Sequence, residues 1–343
     1  MKVVVIGGCG FVGSNLAEHF LGKGSRVTAF DDLSRPGGGA RKNLETLRLR
    51  HSGSSLFEFV WGDVRVFDQV ARVVDGADLI LHVAAQTALT TSIEDPVADF
   101  EVNARGTLNV LEAARQQGQS PVLLYTSSTA VYGDLTRWPI RVREEPARWA
   151  IADPRFEDGI DEEYPLDRGG PYGCSKATGD LYCLDYARTF GLRTVVFRLS
   201  AVYGPGQHGT EDQGWVSWFL QRATQRRPVT IFGDGKQVRD VLFVTDLVAA
   251  VELAISNIGR TTGQAYNIGG GKEFSLSILE LLRLMENDLR IAPSSVAFDE
   301  WRPADCPALY LDTTKAREDF AWTPKVPPGE GVRKTYQWLE SIL

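Results

Sequence analysis

Tyr172 and Lys176 stand four positions apart in Pro171-Tyr172-Gly173-Cys174-Ser175-Lys176. On a helix that spacing sets both side chains on one face, one turn from each other. An ammonium beside a phenol favours the tyrosinate, so a group that ordinarily titrates near ~10 becomes a usable base. Upstream, the Thr126-Ser127-Ser128 run ends an apolar stretch that begins at Val122. A hydroxyl, a phenol and an ammonium converging on one alcohol can take its proton while the carbon releases hydride. Ser128, Tyr172 and Lys176 are the candidate catalytic residues. Tyr172 is the base, Ser128 hydrogen-bonds the same oxygen, and Lys176 lowers the phenol's pKa and holds the ribose of a hydride acceptor. Each alone has a plainer reading, a surface Tyr and Lys or a serine capping a strand end.

The hydride acceptor is signalled at the start of the chain. Gly7-Gly8-Cys9-Gly10-Phe11-Val12-Gly13 satisfies GxGxxG from Gly8 and GxxGxxG from Gly7. Glycines let the backbone turn sharply and approach a pyrophosphate, which the free N–H groups of the next helix then bind. Gly7, Gly10, Phe11, Val12 and Gly13 are candidate cofactor contacts. Eighteen residues after Gly13 comes Asp31, followed by Asp32, at the end of a second apolar run. A carboxylate there accepts hydrogen bonds from adenosine ribose hydroxyls and repels a 2′-phosphate, so NAD is favoured over NADP. Arg35 is the residue that could reverse that choice. Asp63, with Val64, suits the adenine amino group, and Ala84 and Ala85 are small enough for a cofactor to lie close.

The elements that must position these groups read as alternating strands and helices. Strands are expected at Lys2 to Ile6, Val27 to Phe30, Phe57 to Trp61, Leu79 to Val83, Val122 to Tyr125 and Thr194 to Phe197. Helices are expected at Gly13 to Leu21, Val97 to Arg115 and Tyr172 to Phe190. Such alternation implies a parallel sheet buried on both faces, with ligands at the carboxyl ends of its strands. Asp134 to Gly170, rich in Pro, Arg, Glu and Trp, is too long for an ordinary connection. From Tyr203 onward, short strands (Val229 to Phe232, Tyr266 to Ile268) mix with helices (Val244 to Ile255, Leu276 to Asn287) and read as a lobe folded over the strand ends. The fold class is α/β, a Rossmann doubly wound parallel sheet with a smaller α/β substrate-binding lobe. The division is set at 1–199 with 241–270 for the NAD-binding domain and 200–240 with 271–343 for the lobe.

Composition narrows the partners. A formal net charge of −7 over 343 residues argues against a broad nucleic-acid surface. Cys9, Cys174, Cys183 and Cys306 are dispersed without a CxxC pair, and the four histidines have no metal-ligand spacing. No secretory leader and no run of about 18 apolar residues is evident. The expectation is a reduced, cytoplasmic protein with no metal, no membrane contact and no nucleic acid.

Gly7 to Gly13, Thr126 to Gly133 (TSSTAVYG) and Tyr172 to Lys176 together resemble the extended short-chain dehydrogenase/reductase family of nucleotide-sugar enzymes, over nearly the whole chain. The resemblance implies bound NAD, a Ser or Thr with Tyr and Lys, and cofactor contacts from Tyr172, Lys176 and Asn103, the last tying the central strands together. It implies a homodimer or homotetramer built on the two long helices. It also implies that Arg239 and Arg302 clamp a nucleotide diphosphate, as charge-assisted bidentate bonds allow, with Gln86, Thr129, Gln207, Gln213 and Val216 as further substrate contacts. Tyr203 to Gln207, Asp212 to Val216, Asp185 to Leu192 and the Glu144 to Asp167 insertion resemble the CDP-paratose 2-epimerase subfamily. That resemblance implies oxidation of a CDP-sugar at C2 to a 2-keto intermediate, rotation, and return of hydride to the other face. Leu199, Pro205, His208, Gly209 and Ser128 depart from the subfamily pattern around the sugar. Two alternatives stay open, a UDP-sugar 4-epimerase and a non-catalytic NAD-binding scaffold. A 4,6-dehydratase needs an acid/base pair beside the catalytic hydroxyl, where this chain has Thr129-Ala130.

Overall fold

The computed structural model describes residues 1–343 apart from 119, 134, 136–138, 168 and 303–304. Its centre is a sheet of seven strands: β1 (Lys2–Ile6), β2 (Arg26–Asp31), β3 (Phe57–Trp61), β4 (Leu79–His82), β5 (Val122–Ser128), β6 (Arg193–Leu199) and β7 (Gln264–Ile268). They lie in the order β3-β2-β1-β4-β5-β6-β7, every pair parallel. The direction of winding reverses between β1 and β4, which opens a crevice at the carboxyl ends of those two strands.

Alternation along β1 explains why the sheet is buried on both sides. Val3 and Val5 face a core with Leu16, Phe20, Leu247 and Val251, whereas Val4 and Ile6 face another with Val70, Val110, Leu111 and Val196. β2 and β6 run a little beyond the expected limits, and β5 continues from Tyr125 to Ser128. That extension carries Ser128 to the sheet's carboxyl edge.

One sequence expectation changes. The long helix over 97–115 is three segments, Pro96–Phe100, a π-helical turn at Glu101–Arg105, and Gly106–Arg115. The π turn swings Asn103 inward, where it is 1 % exposed. Tyr266 to Ile268, described among the lobe's short strands though inside the 241–270 stretch given to the NAD-binding domain, pairs with β6 as the seventh strand of the large sheet. Ala265 on one face and Tyr266 and Ile268 on the other are buried in its two cores. The helix Val244–Ser256 likewise packs beside Leu16 and Phe20 under the first helix.

Val229–Phe232 pairs parallel with Val296–Asp299, and a further sheet gathers around Val238–Phe243. That strand pairs antiparallel with Ser275–Ser277 and parallel with Ala308–Leu309 and Ala201–Tyr203. The chain between β5 and the Gly170–Phe190 helix includes a hairpin, Val142–Glu144 with Trp149–Ile151. Ile151, Phe156, Ile160 and Tyr164 of that segment bury against Val238, Tyr310 and Leu311. Among the described residues no helix is long and apolar enough to cross a membrane.

Candidate active site

Close backbone approach builds the first part of the site. Gly7 has φ +85°, and a Cβ there would lie 2.6 Å from the Ala84 nitrogen; at Gly13 it would lie 2.1 Å from the Gly7 oxygen. The stretch Gly7 to Gly13 is therefore pressed against the β4 exit, and the Phe11–Gly22 helix begins within it, after Gly10. A cleft of about 460 Å³ opens over this junction. Gly7, Gly10, Phe11, Val12, Gly13, Asp31, Asp32, Asp63, Val64, Ala84, Ala85 and Gln86 all line it, with Arg35. A cleft over a loop that excludes side chains, with a helix N-terminus and the carboxylates of Asp31, Asp32 and Asp63 on its walls, fits a dinucleotide.

The carboxylates have partners of their own. Asp31 accepts hydrogen bonds from the Cys9 N–H at 2.9 Å and the Leu33 N–H at 2.8 Å. Burial raises its pKa above the ordinary carboxylate value, and those N–H bonds oppose the rise. Asp63 is gripped by the Arg65 guanidinium at 2.6–3.0 Å, which holds it below that value.

A second cavity of about 210 Å³ shares Phe11, Val12, Val83, Ala85, Thr87, Gln207 and Gln213 with the cleft. Its further wall brings Ser128, Tyr172, Lys176 and Val216 together. Ser128 ends β5 and also caps the next turn, accepting from the Ala130 N–H at 3.2 Å. Tyr172 and Lys176 occupy the first two turns of the Gly170–Phe190 helix, which opens with Pro171 and closes at left-handed Gly191.

The electrostatics depart from expectation in one respect. Lys176 stands over the Tyr125 ring, its Nζ 4.3 Å from the centroid. Burial pushes its pKa down to about 7, with Cys183, Asp180 and Asp99 acting in the opposite sense. The Tyr172 phenol is raised above its usual value, chiefly by burial; Ser128 hydrogen bonding lowers it and Asp99 raises it further. The ammonium expected to depress the phenol faces a different aromatic ring, so here burial outweighs charge.

Four other predicted contacts border neither cavity. Asn103 has its amide fully engaged: Oδ1 accepts from the Gln86 N–H at 2.9 Å, and Nδ2 donates at 3.0 Å to Gln86 O, Asp99 Oδ1 and Ser175 Oγ. It ties the loop after β4 to the Tyr172 helix. Thr129 lies in the turn after Ser128, outside both walls. Arg239 is paired with Asp305 and with the Val238 carbonyl. Arg302 reaches Asp212 at 3.4 Å and Glu211 O at 3.2 Å and stacks on Phe232. Both arginines thus rest against the chain's own oxygens. Gln207 lines the cavities while bonded to Val202 O and Ser217 Oγ. Sequence reasoning missed Thr87, Thr91, Val102, Thr210 and Asp212 on the cleft wall. Thr87, after Gln86, Val102, beside Asn103, and Asp212, before Gln213, carried a local signal; Thr91 and Thr210 did not.

Comparison with known proteins agrees with this geometry. The model of the NAD dependent epimerase/dehydratase family matches residues 3–269. CDP-paratose 2-epimerase of Salmonella typhi is 44% identical over 353 residues, covering 100% of both chains. UDP-glucose 4-epimerase of Mycolicibacterium smegmatis is 32% identical, covering 99% of each. The crystal structure of Thermus thermophilus UDP-glucose 4-epimerase, a complex with NAD, superposes with TM-score 0.81 at 30% identity, covering 100% of each chain.

Proposed function

Because the chain belongs to the NAD dependent epimerase/dehydratase family, we propose that it inverts C2 of a CDP-linked sugar through a transient 2-keto intermediate. One observation carries the reading: Ser128, Tyr172 and Lys176 share the wall where the sheet-edge cleft opens into the smaller cavity. The choice of CDP and C2 draws on the 44% identity to a CDP-paratose 2-epimerase.

NAD held in the cleft supplies a reversible hydride acceptor. Gly7, Gly10 and Gly13 would leave room for its diphosphate, and Asp31, Asp32 and Asp63 would hold its adenosine. Tyr172 takes the proton from the sugar hydroxyl and later returns it. Ser128 holds the oxygen during both transfers, and Lys176, on the same wall, would hold the nicotinamide ribose as an ammonium. Gln86, Gln207, Gln213 and Val216 border the space in which the keto sugar turns. Arg239 and Arg302 fix its diphosphate after releasing Asp305 and Asp212. The proton and the hydride both return, so no net oxidation results.

Exposed Val97, Phe100, Leu181, Tyr182 and Phe190, on the helices around Asn103 and Tyr172, support assembly as a homodimer or homotetramer. Four unbridged cysteines fit a reducing, cytoplasmic setting. A UDP-sugar 4-epimerase is the second reading, favoured by relatives of that name at 28–32% identity. Incubating the protein with CDP- and UDP-sugars and identifying products by NMR distinguishes the two. Inversion at C2 of a CDP-sugar is expected. Inversion at C4 of a UDP-sugar replaces this reading with the second, and binding without turnover leaves a scaffold.

A further inference from the structure

Asp99 borders neither cavity, yet it is 1 % exposed. It lies in the Pro96–Phe100 helix, one turn before Asn103. Its Oδ1 accepts from Asn103 Nδ2 at 3.0 Å and from Gln86 Nε2 at 3.2 Å, whereas Oδ2 is buried with no hydrogen-bond partner. Both donors are neutral amides. Asn103 also donates to Ser175 Oγ, on the residue preceding Lys176. A carboxylate so enclosed is costly: burial raises its pKa above the ordinary value, and a Ser175 hydrogen bond and the charge of Lys176 oppose that rise.

Lys176 is the matching cation, 2 % exposed and seated on an aromatic face. Three groups of negative character act on it: Cys183, Asp180 and Asp99. The Cys183 thiol is driven far above its usual value by burial and stays neutral. Asp180 is held by Arg198 through two bonds, at 2.9 and 3.2 Å, so its charge is already balanced. Asp99 remains.

We propose that Asp99 is a positioning residue that furnishes the counter-charge of Lys176, keeping it an ammonium while Tyr172 gives and takes the substrate proton. The proposal rests on the catalytic reading above. Asp99 touches no reacting atom, and no proton passes through it.

The groups around it fix the sign. From the Gly170–Phe190 helix, Tyr172, Ser175 and Lys176 face it; from the loop after β4, Gln86; from its own helix, Asn103. Behind Lys176 stand Tyr125, Cys183, the Asp180–Arg198 pair and His82, which burial pushes down to about 3 and keeps neutral. Asp99 raises both Lys176 and Tyr172. Removing its charge lets both titrate at lower pH.

The test is Asp99→Asn, which keeps the shape and the acceptor for Gln86 and Asn103, with Asp99→Ser beside it. The alkaline limb of the kcat profile is expected to move down by about one pH unit, costing ~10-fold activity above the limb and little below it. NADH affinity measured by fluorescence against pH, without sugar, is expected to show the same displacement. That second readout separates the two ideas: a wild-type protein that binds NADH with this limb but turns over no sugar defeats the proposed function and leaves Asp99 still testable. An unmoved limb in both variants, or activity scaled equally at every pH, overturns the proposal. So does loss of cooperative folding in both variants, because the charge would then be a folding requirement.

Discussion

The dinucleotide cleft and the arginine pair are built from different materials. The cleft is backbone: positive φ at Gly7, a missing Cβ at Gly13, and strand ends held in register by β1, β2 and β4. The pair is side chains, and each guanidinium lies against acids of the same chain, Arg239 on Asp305 and Arg302 on Asp212. Backbone in a buried sheet cannot rearrange without breaking its ladder. Partly exposed ion pairs exchange partners at little cost. The contrast matches a resident cofactor and a visiting substrate. On the proposed function, one end is formed before binding and the other would exchange its contacts.

The largest expected effect lies where the two ends meet. Tyr172→Phe should lower kcat by about 10³-fold while calorimetry finds NAD and CDP binding within a few-fold of wild type. Activity within tenfold of wild type would remove the phenol from the base role.

Gly13→Ala attacks the preformed end. A methyl 2.1 Å from the Gly7 oxygen and 2.9 Å from the Gly8 Cα cannot be relieved by a flexible side chain. A loss on the order of 3 kcal/mol should appear as a lower melting temperature, together with weaker NAD binding and unchanged CDP binding. Equal losses of NAD and CDP affinity would show that the two ends are not separable.

Sequence exposed what depends on local pattern and hid what depends on long side chains. The glycine run, Asp31 and the Tyr172–Lys176 spacing are short-range signals, and all of these residues except Gly8 and Cys9 line the expected cavities. β5 reaches Ser128, as the Thr126-Ser127-Ser128 run at its end implies, whereas the order of β7 beside β6 is set by tertiary pairing. Lys176 turning toward Tyr125 follows from burial of a flexible stem, which spacing cannot reveal. Asp99 reads as one acid in the short Pro96–Phe100 segment, and it is enclosed by tertiary neighbours: the π turn, the loop after β4 and the Tyr172 helix. Arg239 and Arg302 bond to Asp305 and Glu211, 66 and 91 residues away in sequence, beyond any motif.

The smallest effect tests the exchangeable end most closely. Arg239 and Asp305 are about three-quarters buried, with side-chain exposures of 23% and 24%. If a diphosphate must displace that carboxylate, Asp305→Asn removes the competitor's charge and leaves Arg239 in place. A partly exposed ion pair is worth ~0.2–1 kcal/mol, so CDP should bind up to about fivefold tighter, measured by calorimetry, with NAD affinity unchanged. Salt screens the competing pair as well, and the gain over wild type should shrink as ionic strength rises. Weaker CDP binding in the variant would mean that Asp305 orients Arg239 for its ligand. The arginine end would then be preformed too, and the division between a fixed and an exchanging half would fall.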